Sequence, residues 1–333
     1  MEQKMIIDGN RFTFVDTIDS PIAIADSWVK PKNKIGDGNG ESKLYISSKE
    51  KIESFFGGRG FEAKCFILKK DMIAYMNAIH SEYLNPSQNY RGKEEMGLLW
   101  RNRLSKIESM PEIIEFYVKE QTQIEGERGY VNSKDDGFQI IREISLPLVS
   151  YISTMHLLEG KESIYYWRLF ADFEAIEKRK AYIDNYGANK NQIEKGDNFE
   201  DEMPKYNVVR KAREGQEDYR RKLLSECPFC PITMINEETL LIASHIKPWA
   251  VSDKKERVDP NNGLILSPLY DKLFDRGFIT FSEDRRVHIS NWLSRQVKLR
   301  IGIHENQFFQ FLPINDKREE YLNYHRTTVF KDT

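Results

Sequence analysis

The chain has few cysteines, no long apolar run and almost no net charge, and each shortage argues against a class of protein. Three cysteines, Cys65, Cys227 and Cys230, are too few for a disulfide framework and indicate a reducing compartment. No apolar run approaches the roughly 20 residues needed to cross a bilayer. The first residues lack the basic and apolar regions of a signal peptide. These features predict a cytoplasmic protein without a membrane span.

The formal net charge of −2 would ordinarily argue against a nucleic-acid partner, but the charge is unevenly distributed. Residues 1–204 hold 28 Lys and Arg against 34 Asp and Glu, a balance of −6. Residues 205–333 hold 22 against 18, a balance of +4. The C-terminal part is therefore the better candidate for binding a polyanion.

A length of 333 residues predicts two domains. Strand-like alternation marks residues 11–18, and apolar residues at helical spacing mark residues 69–84 and 94–107. The apolar segments 145–158 and 163–176 are also interpreted as helices, so residues 1–183 are expected to be mixed α+β and largely helical after about residue 70. Residues 184–205 carry Gly, Asn and charge with little hydrophobic pattern, which predicts a linker before a second domain at 206–333.

The second domain contains a β-β-α pattern of sequence. The apolar run "ETLLIASHI" leads directly to His245 and stops before Pro248, which places the imidazole at a strand end. Asn262 and Gly263 precede "GLILS", a second strand. "SPLYDKLFDRG" then has the signals of a short helix, with serine at the N-cap, proline at the first position and glycine after the end. Residues 278–290 predict a closing hairpin.

Within that helix Asp271 and Asp275 are four residues apart and share one face. Two neighbouring carboxylates repel each other unless a positive group lies between them, so the pair is a candidate cation site. Taken singly, each residue also has an ordinary explanation. His245 could be a structural histidine, Asn262 part of a hairpin turn, and the two aspartates a solvated face near the helix N-terminus.

The combined pattern resembles the HNH endonucleases of the ββα-metal superfamily over about residues 210–290, through "REGQEDYRRKLL", "ASHIKPW", "ERVDPNNGL" and "LFDRG". The resemblance implies an α+β protein with a C-terminal ββα-metal nuclease domain whose core spans about residues 225–290. It implies that His245 activates water, that Asn262 is the motif asparagine, and that Asp271 occupies a metal-ligand position where the family usually has histidine. Asp275 is a candidate second ligand.

An aspartate at that position favours a hard cation, so Mg²⁺ is the expected cofactor and Mn²⁺ an alternative. Many HNH domains also hold a Cys₄ zinc. Cys227 and Cys230 supply the first half of such a site, but Ser267 and Tyr270 stand where the second pair of cysteines would be. No structural zinc is therefore expected.

The expected function is a metal-dependent DNA endonuclease of restriction type that serves antiviral defence, with residues 1–183 choosing the target on double-stranded DNA. Phosphate contacts are expected from a set of basic residues that could equally be merely solvated: Arg213, Arg220, Arg221, Lys247 and Lys272. Double-strand cleavage by one active site per chain would require a homodimer or two binding events. The alternatives are a modification-dependent nuclease, a nuclease activated by a ligand or partner, and a non-catalytic DNA-binding protein with a degenerate HNH fold.

Overall fold

The computed structural model describes residues 3–18, 21–36, 41–121, 126–177 and 216–332. These residues form two compact units. The first unit comprises residues up to 172 together with 292–301, and the second comprises residues 173–291 and 302–332. The linker predicted at 184–205 lies outside the described residues. None of the helices among the described residues is both long and apolar enough to span a membrane.

The first unit is built on a nine-stranded sheet. Its strands are β1 (Gln3–Ile7), β2 (Asn10–Thr17), β3 (Ile22–Ala23), β4 (Leu44–Ser48), β5 (Glu62–Leu68), β6 (Ile113–Glu120), β7 (Arg128–Asn132), β8 (Ser150–Glu159) and β9 (Glu162–Ala171). Their order is β1-β2-β8-β9-β5-β6-β7-β4, with β3 also paired to β8. Every pairing is antiparallel except that of β5 with β9.

The helices are α1 (Lys49–Phe56), α2 (Lys69–Ala78), α3 (His80–Leu84), α4 (Met96–Glu108), α5 (Asp136–Ile144), α6 (173–177), α7 (216–226), α8 (Pro268–Asp275), α9 (Arg295–Arg300) and α10 (Asp316–Tyr324). Short 3₁₀ helices span Pro31–Asn33, Lys93–Glu95, Glu238–Leu240, Trp249–Val251, Glu256–Val258 and Pro260–Asn262, and a π-helix spans His325–Val329. Helices α1 to α5 and α9 belong to the first unit, and the others belong to the second.

The helices predicted at 145–158 and 163–176 are wrong for most of their length: these segments form the central strands β8 and β9, and only residues 173–176 are helical, as part of α6. Seven of the ten residues of β8 are buried, and because they lie on both faces of the strand, the sequence does not show the alternation of a half-exposed strand. β-Branched and aromatic residues such as Ile152 and Trp167 favour the strand. The chain after residue 70 is consequently mixed, and not largely helical.

The helices predicted from apolar spacing at 69–84 and 94–107 are confirmed as α2 with α3, and as α4. Met72, Met76 and Tyr83 are almost fully buried, as their common stripe requires. The core between the sheet and helix α5 contains several aromatic side chains. Phe116, Phe138 and Trp167 meet there with ring centroids 5.5 to 6.3 Å apart, and such contacts add to the hydrophobic stabilisation of the unit.

The second unit contains the predicted β-β-α arrangement. Strand β10 (Ile242–His245) pairs antiparallel with β11 (Gly263–Leu266), and α8 follows directly. Helix α8 ends in a Schellman motif, because the Gly277 N–H donates to Phe274 O and the Phe278 N–H to Leu273 O, both at 2.8 Å. The hairpin β12 (Ile279–Phe281) and β13 (Val287–Ile289) follows. The predicted α+β fold class is thus confirmed.

Candidate active site

His245 lies at the last position of β10, opposite Gly263 of β11. Its ring stacks on Tyr219 of α7, with 4.5 Å between centroids and 11° between planes. The Tyr219 hydroxyl donates to Asn262 O at 2.9 Å. A Cβ atom on residue 263 would lie 2.1 Å from the Tyr219 Oη. Glycine is therefore required opposite the histidine so that Tyr219 can support the imidazole.

The protonation of His245 follows from its contacts. Its Nε2 lies 3.0 Å from Arg257 O, and since a carbonyl only accepts, Nε2 carries the proton and Nδ1 is left with a free lone pair. Burial lowers the pKa of His245, and the nearby Arg257 charge lowers it further, against the opposing effect of the carbonyl. The imidazole is therefore neutral near pH 7 and can accept a proton at Nδ1.

Asn262 fixes the loop that carries the Arg257 carbonyl. Its side chain is fully buried, and its Oδ1 accepts from the Lys247 N–H at 2.7 Å. Its Nδ2 donates to Glu256 O at 3.1 Å and lies 3.3 Å from Lys247 O. These bonds hold both ends of the segment 247–256, immediately beside His245 and Arg257. The residue thus has the hydrogen bonds expected of a group that keeps the imidazole oriented.

Asp271 and Asp275 project from α8 toward β10. The Ser244 hydroxyl donates to Asp275 Oδ1 at 3.4 Å and also hydrogen-bonds Asp271. Burial raises the pKa of Asp271, and burial together with the Asp271 charge raises the pKa of Asp275 to about 8. The two carboxylates therefore compete for one proton in the absence of a cation, which is the electrostatic situation that a bound cation would relieve.

A cavity of about 170 Å³ joins these groups. Its polar lining residues are Glu174, Glu177, Ser244, His245, Asp271 and Asp275, and its apolar ones include Phe173 and Trp249. Glu174 and Glu177 of α6 were not predicted. They lie about seventy residues before the β-β-α segment, and nothing in their local sequence indicates that α6 reaches the histidine. Glu174 also pairs with Lys272 and, at 3.1 Å, with Arg276.

The donors in this cavity fit a hard divalent cation. Asp271 and Asp275 offer carboxylate oxygens, the ligands that Mg²⁺ prefers. Among the described residues, no three His, Cys, Asp or Glu side chains converge to form a metal site by themselves. Mg²⁺ ordinarily keeps several waters and takes only one or two carboxylates. A cavity of about 170 Å³ has room for several waters, so a two-carboxylate, hydrated ion is compatible with it.

The basic residues predicted to contact DNA have different environments. Arg220 donates to Leu241 O and Glu238 O at 2.8 and 2.7 Å, and Lys247 forms a half-buried ion pair with Glu256. Both side chains are thus engaged within the unit. Arg221 is exposed and pairs with Asp218, and Lys272 is half-exposed and pairs with Glu174. Arg213 lies outside the described residues.

A buried arginine that was not predicted from the sequence connects the elements around the site. Arg318 of α10 is almost fully buried. Its Nε donates to Gly263 O at 3.0 Å, and its other nitrogens bind Glu226 of α7 at 2.7 Å and Pro260 O at 3.0 Å. Arg318 therefore ties α7, which carries Tyr219, to the start of β11.

Cys227 and Cys230 are buried and lie at the turn after α7. The Cys227 Sγ contacts Phe229 O at 3.2 Å, and burial raises the pKa of its thiol. Ser267 is the N-cap of α8, and Tyr270 is a buried residue of the same helix. The expectation that no structural zinc binds here stays a prediction.

The comparison with protein families agrees with this geometry. Residues 230–282 match the model of a family described as HNH endonuclease. The matched segment contains β10, β11, α8 and β12, and with them His245, Asn262, Asp271 and Asp275. A search of curated proteins found no match.

Proposed function

We propose that this protein, which carries a C-terminal domain of the HNH nuclease type at residues 230–282, is a metal-dependent DNA endonuclease of restriction type. The observation that supports the proposal is that a neutral histidine and two carboxylates line one cavity. Hydrolysis of a phosphodiester needs a base for the attacking water and positive charge at the phosphate, and these residues can provide both.

His245 is the proposed general base. Its Nδ1 accepts the proton of the attacking water, while the Arg257 carbonyl holds the opposite nitrogen and the Tyr219 ring holds the plane of the imidazole. Asp271 and Asp275 would hold the cation, which when bound supplies charge neutralisation at the phosphate and the leaving oxygen. Because burial lowers the pKa of His245, activity should persist somewhat below pH 6.5 before protonation of the base abolishes it.

The substrate is proposed to be double-stranded DNA whose target is chosen by the first unit. Among the described residues of the second unit, Arg221 and Lys272 remain the candidate phosphate contacts, because their paired side chains are exposed or half-exposed, whereas Arg220 binds backbone carbonyls and Lys247 lies in a half-buried ion pair. We further propose that the protein acts in the cytoplasm in antiviral defence, with Mg²⁺ or Mn²⁺ as cofactor. Two copies, as a homodimer, would be needed to cut both strands in one event.

The test is nicking of supercoiled plasmid by the purified full chain with Mg²⁺, Mn²⁺ or EDTA. We expect conversion to open circles with either cation and none in EDTA. Asp271→Asn should lose this activity, whereas Asp284→Asn, which changes an exposed acid in the β12–β13 turn, should retain it. Mapping of the ends on unmodified, methylated and hydroxymethylated DNA would then define the target. Cleavage in EDTA, or by Asp271→Asn at the wild-type rate, would refute the proposal.

One observation favours a second candidate, a nuclease that stays inactive until a ligand or partner binds. Glu174 lines the active-site cavity and pairs with both Lys272 and Arg276, so a DNA phosphate must displace this carboxylate to reach those cations. Glu174→Gln should then nick plasmid that the wild type leaves intact. A non-catalytic DNA-binding protein would instead bind DNA and show no cleavage with any cation or with this variant.

A further inference from the structure

The first unit contains a second cavity, of about 500 Å³, which the proposed hydrolysis does not use. Residues of β2, β4, β8 and α1 line it. Five strands separate β2 from β4 along the sheet, so the sheet curls strongly to bring both strands to one cavity. The volume lies within the range of roughly 300 to 1,000 Å³ that is usual for small-molecule sites.

Two β-bulges open onto this cavity. The register of β2 with β8 shifts between Phe14 and Asp16, and that of β4 with β7 shifts between Tyr45 and Ser47. Bulges redirect side chains and are frequent beside functional sites. Both irregular positions contribute lining residues, with Asp16 from the first bulge and Ser47 from the second. The wall of the cavity is thus made where two strands depart from regular pairing.

A carboxylate and an imidazole face each other in this wall, since Asp16 and His156 are direct cross-strand partners. Asp16 Oδ1 accepts from the Thr17 N–H at 2.9 Å and the Arg295 N–H at 3.2 Å, which fixes the carboxylate. Its other oxygen has no hydrogen-bond partner within the described part of the chain and can accept from a ligand. His156 binds Ser163 through Nε2 at 2.9 Å, and none of the described residues binds its second ring nitrogen.

An aromatic ring completes the set. Phe55 of α1 is half-buried, lines the cavity and has its ring centroid 6.1 Å from that of His156. The charged side chains that line the cavity, apart from His156, are Asp16, Glu50 and Lys51, a net acidic set that disfavours a phosphate or another anion inside it. An aromatic surface beside a hydrogen-bond acceptor suits a flat, uncharged heteroaromatic ring with an amino group.

Positive charge lies next to the same carboxylate. One of the two N–H groups that donate to Asp16 is that of Arg295, the first residue of α9. Arg295 and Arg300 of this helix are exposed, and neither has a carboxylate partner among the residues that the structure describes. Phosphates that flank a base in the cavity could therefore be neutralised by these guanidinium groups.

We propose that this cavity binds a single nucleobase that carries an exocyclic amino group, stacked on Phe55 and hydrogen-bonded to Asp16. The base is presented either by the DNA substrate, extruded from its stack, or by a free nucleotide that acts as an effector. The first possibility, a base of the DNA substrate, rests on the proposed nuclease function. In that case the cavity would be the part of the first unit that recognises the DNA target.

The test measures binding by the full chain in EDTA, which prevents metal-dependent cleavage. The probes are dCMP, dAMP, dGMP and dTMP, single-stranded oligonucleotides, and duplexes with 2-aminopurine, whose fluorescence rises when it leaves the stack. Phe55→Ala should weaken binding of amino-bearing bases roughly five- to 150-fold, the range for loss of one stacking contact. Tyr117→Ala, which removes an exposed aromatic of β6 outside this cavity, should not.

Asp16→Asn should change which base the protein prefers, and a folding defect would not produce such a change. Asparagine can still accept the Thr17 and Arg295 N–H bonds, but it presents an NH₂ donor where the free carboxylate oxygen was. Preference should therefore move from amino-bearing bases toward thymine. A 2-aminopurine signal that Phe55→Ala abolishes identifies an extruded DNA base. Mononucleotide binding that oligonucleotides do not displace identifies a free nucleotide.

The proposal is overturned if no base-containing probe binds, or if Phe55→Ala and Asp16→Asn bind every probe as Tyr117→Ala does. Plasmid nicking by the same proteins separates this failure from failure of the nuclease proposal. If only the base site is wrong, Phe55→Ala nicks DNA at the same positions as the wild type. If only the nuclease proposal is wrong, no variant nicks, but base binding and its dependence on Phe55 persist.

Discussion

Asn262 offers the sharpest test of how the second unit holds its imidazole. Asn262→Ala removes two good hydrogen bonds, from the Lys247 N–H at 2.7 Å and to Glu256 O at 3.1 Å. It also leaves the part-buried Lys247 N–H without its acceptor. At about 1 kcal/mol for the lost bond to Glu256 O and about 1–3 kcal/mol for the Lys247 N–H left without its acceptor, the free energy of unfolding should fall by about 2–4 kcal/mol. Urea denaturation of the full chain measures this loss.

Asn262→Asp should be more damaging although it is nearly isosteric. The carboxylate keeps an acceptor for the Lys247 N–H, but its second oxygen points at the Glu256 and Lys247 carbonyls, and a buried charge without a partner is costly. In both variants the Arg257 carbonyl loses its support, so nicking should slow by roughly a hundredfold, as expected when a reacting group is displaced by about 1 Å.

The matched control is Asn261→Ala. The amide of Asn261 donates to Asp259 and accepts from Asn315, and it does not contact the loop 247–256. This variant should lose about 1 kcal/mol or less and keep the wild-type nicking rate. If Asn262→Asp is as stable as the wild type, the orientation of the amide is the reverse of that described. If Asn262→Ala nicks normally, the loop does not orient His245.

Three further predictions concern the same unit. Gly263→Ala should destabilise it by about 1–3 kcal/mol in urea denaturation, because the new Cβ lies 2.1 Å from the Tyr219 Oη. Without a cation, the melting temperature should fall as the pH rises toward 8, because folded Asp275 retains a proton that the unfolded chain has released. Mg²⁺ should raise that temperature more at about pH 9 than at about pH 6.5, since the ligand must first ionise, and Asp275→Asn should abolish the difference. Glu174→Gln should tighten non-specific duplex binding, because Lys272 is released for a phosphate contact. The slope of the logarithm of the binding constant against the logarithm of the salt concentration should become steeper by about one. An unchanged affinity would show that Glu174 does not keep Lys272 from the phosphates.

The β-β-α segment could be predicted because its signals are local. The serine cap, the proline at the first helical position and the glycine after α8 define a helix without reference to the rest of the chain. The apolar run before His245 likewise ends at a proline. The spacing of the two aspartates then follows from helical geometry, so the face that they share was accessible from sequence.

The wrong helix predictions and the contacts that were not predicted have a different physical origin. Strands β8 and β9 have consecutive buried residues on both faces, so the alternation that identifies a half-exposed strand is missing from their sequences. Contacts between side chains that are far apart in the sequence could not be predicted either. The charge of Arg220 or Lys247 does not reveal that backbone carbonyls or Glu256 already bind it. Glu174 lines the site only because α6 packs against α8.

The most direct test of the account is the nicking rate of His245→Ala in Mg²⁺, compared with that of the wild type and of His288→Ala. His288 is a half-exposed histidine of β13 that pairs with Glu305 outside the cavity. We expect that His245→Ala retains its circular dichroism spectrum and its DNA affinity but loses nicking by roughly a hundred- to ten-thousandfold, while His288→Ala nicks normally. A folded His245→Ala protein that nicks plasmid at the wild-type rate would contradict it.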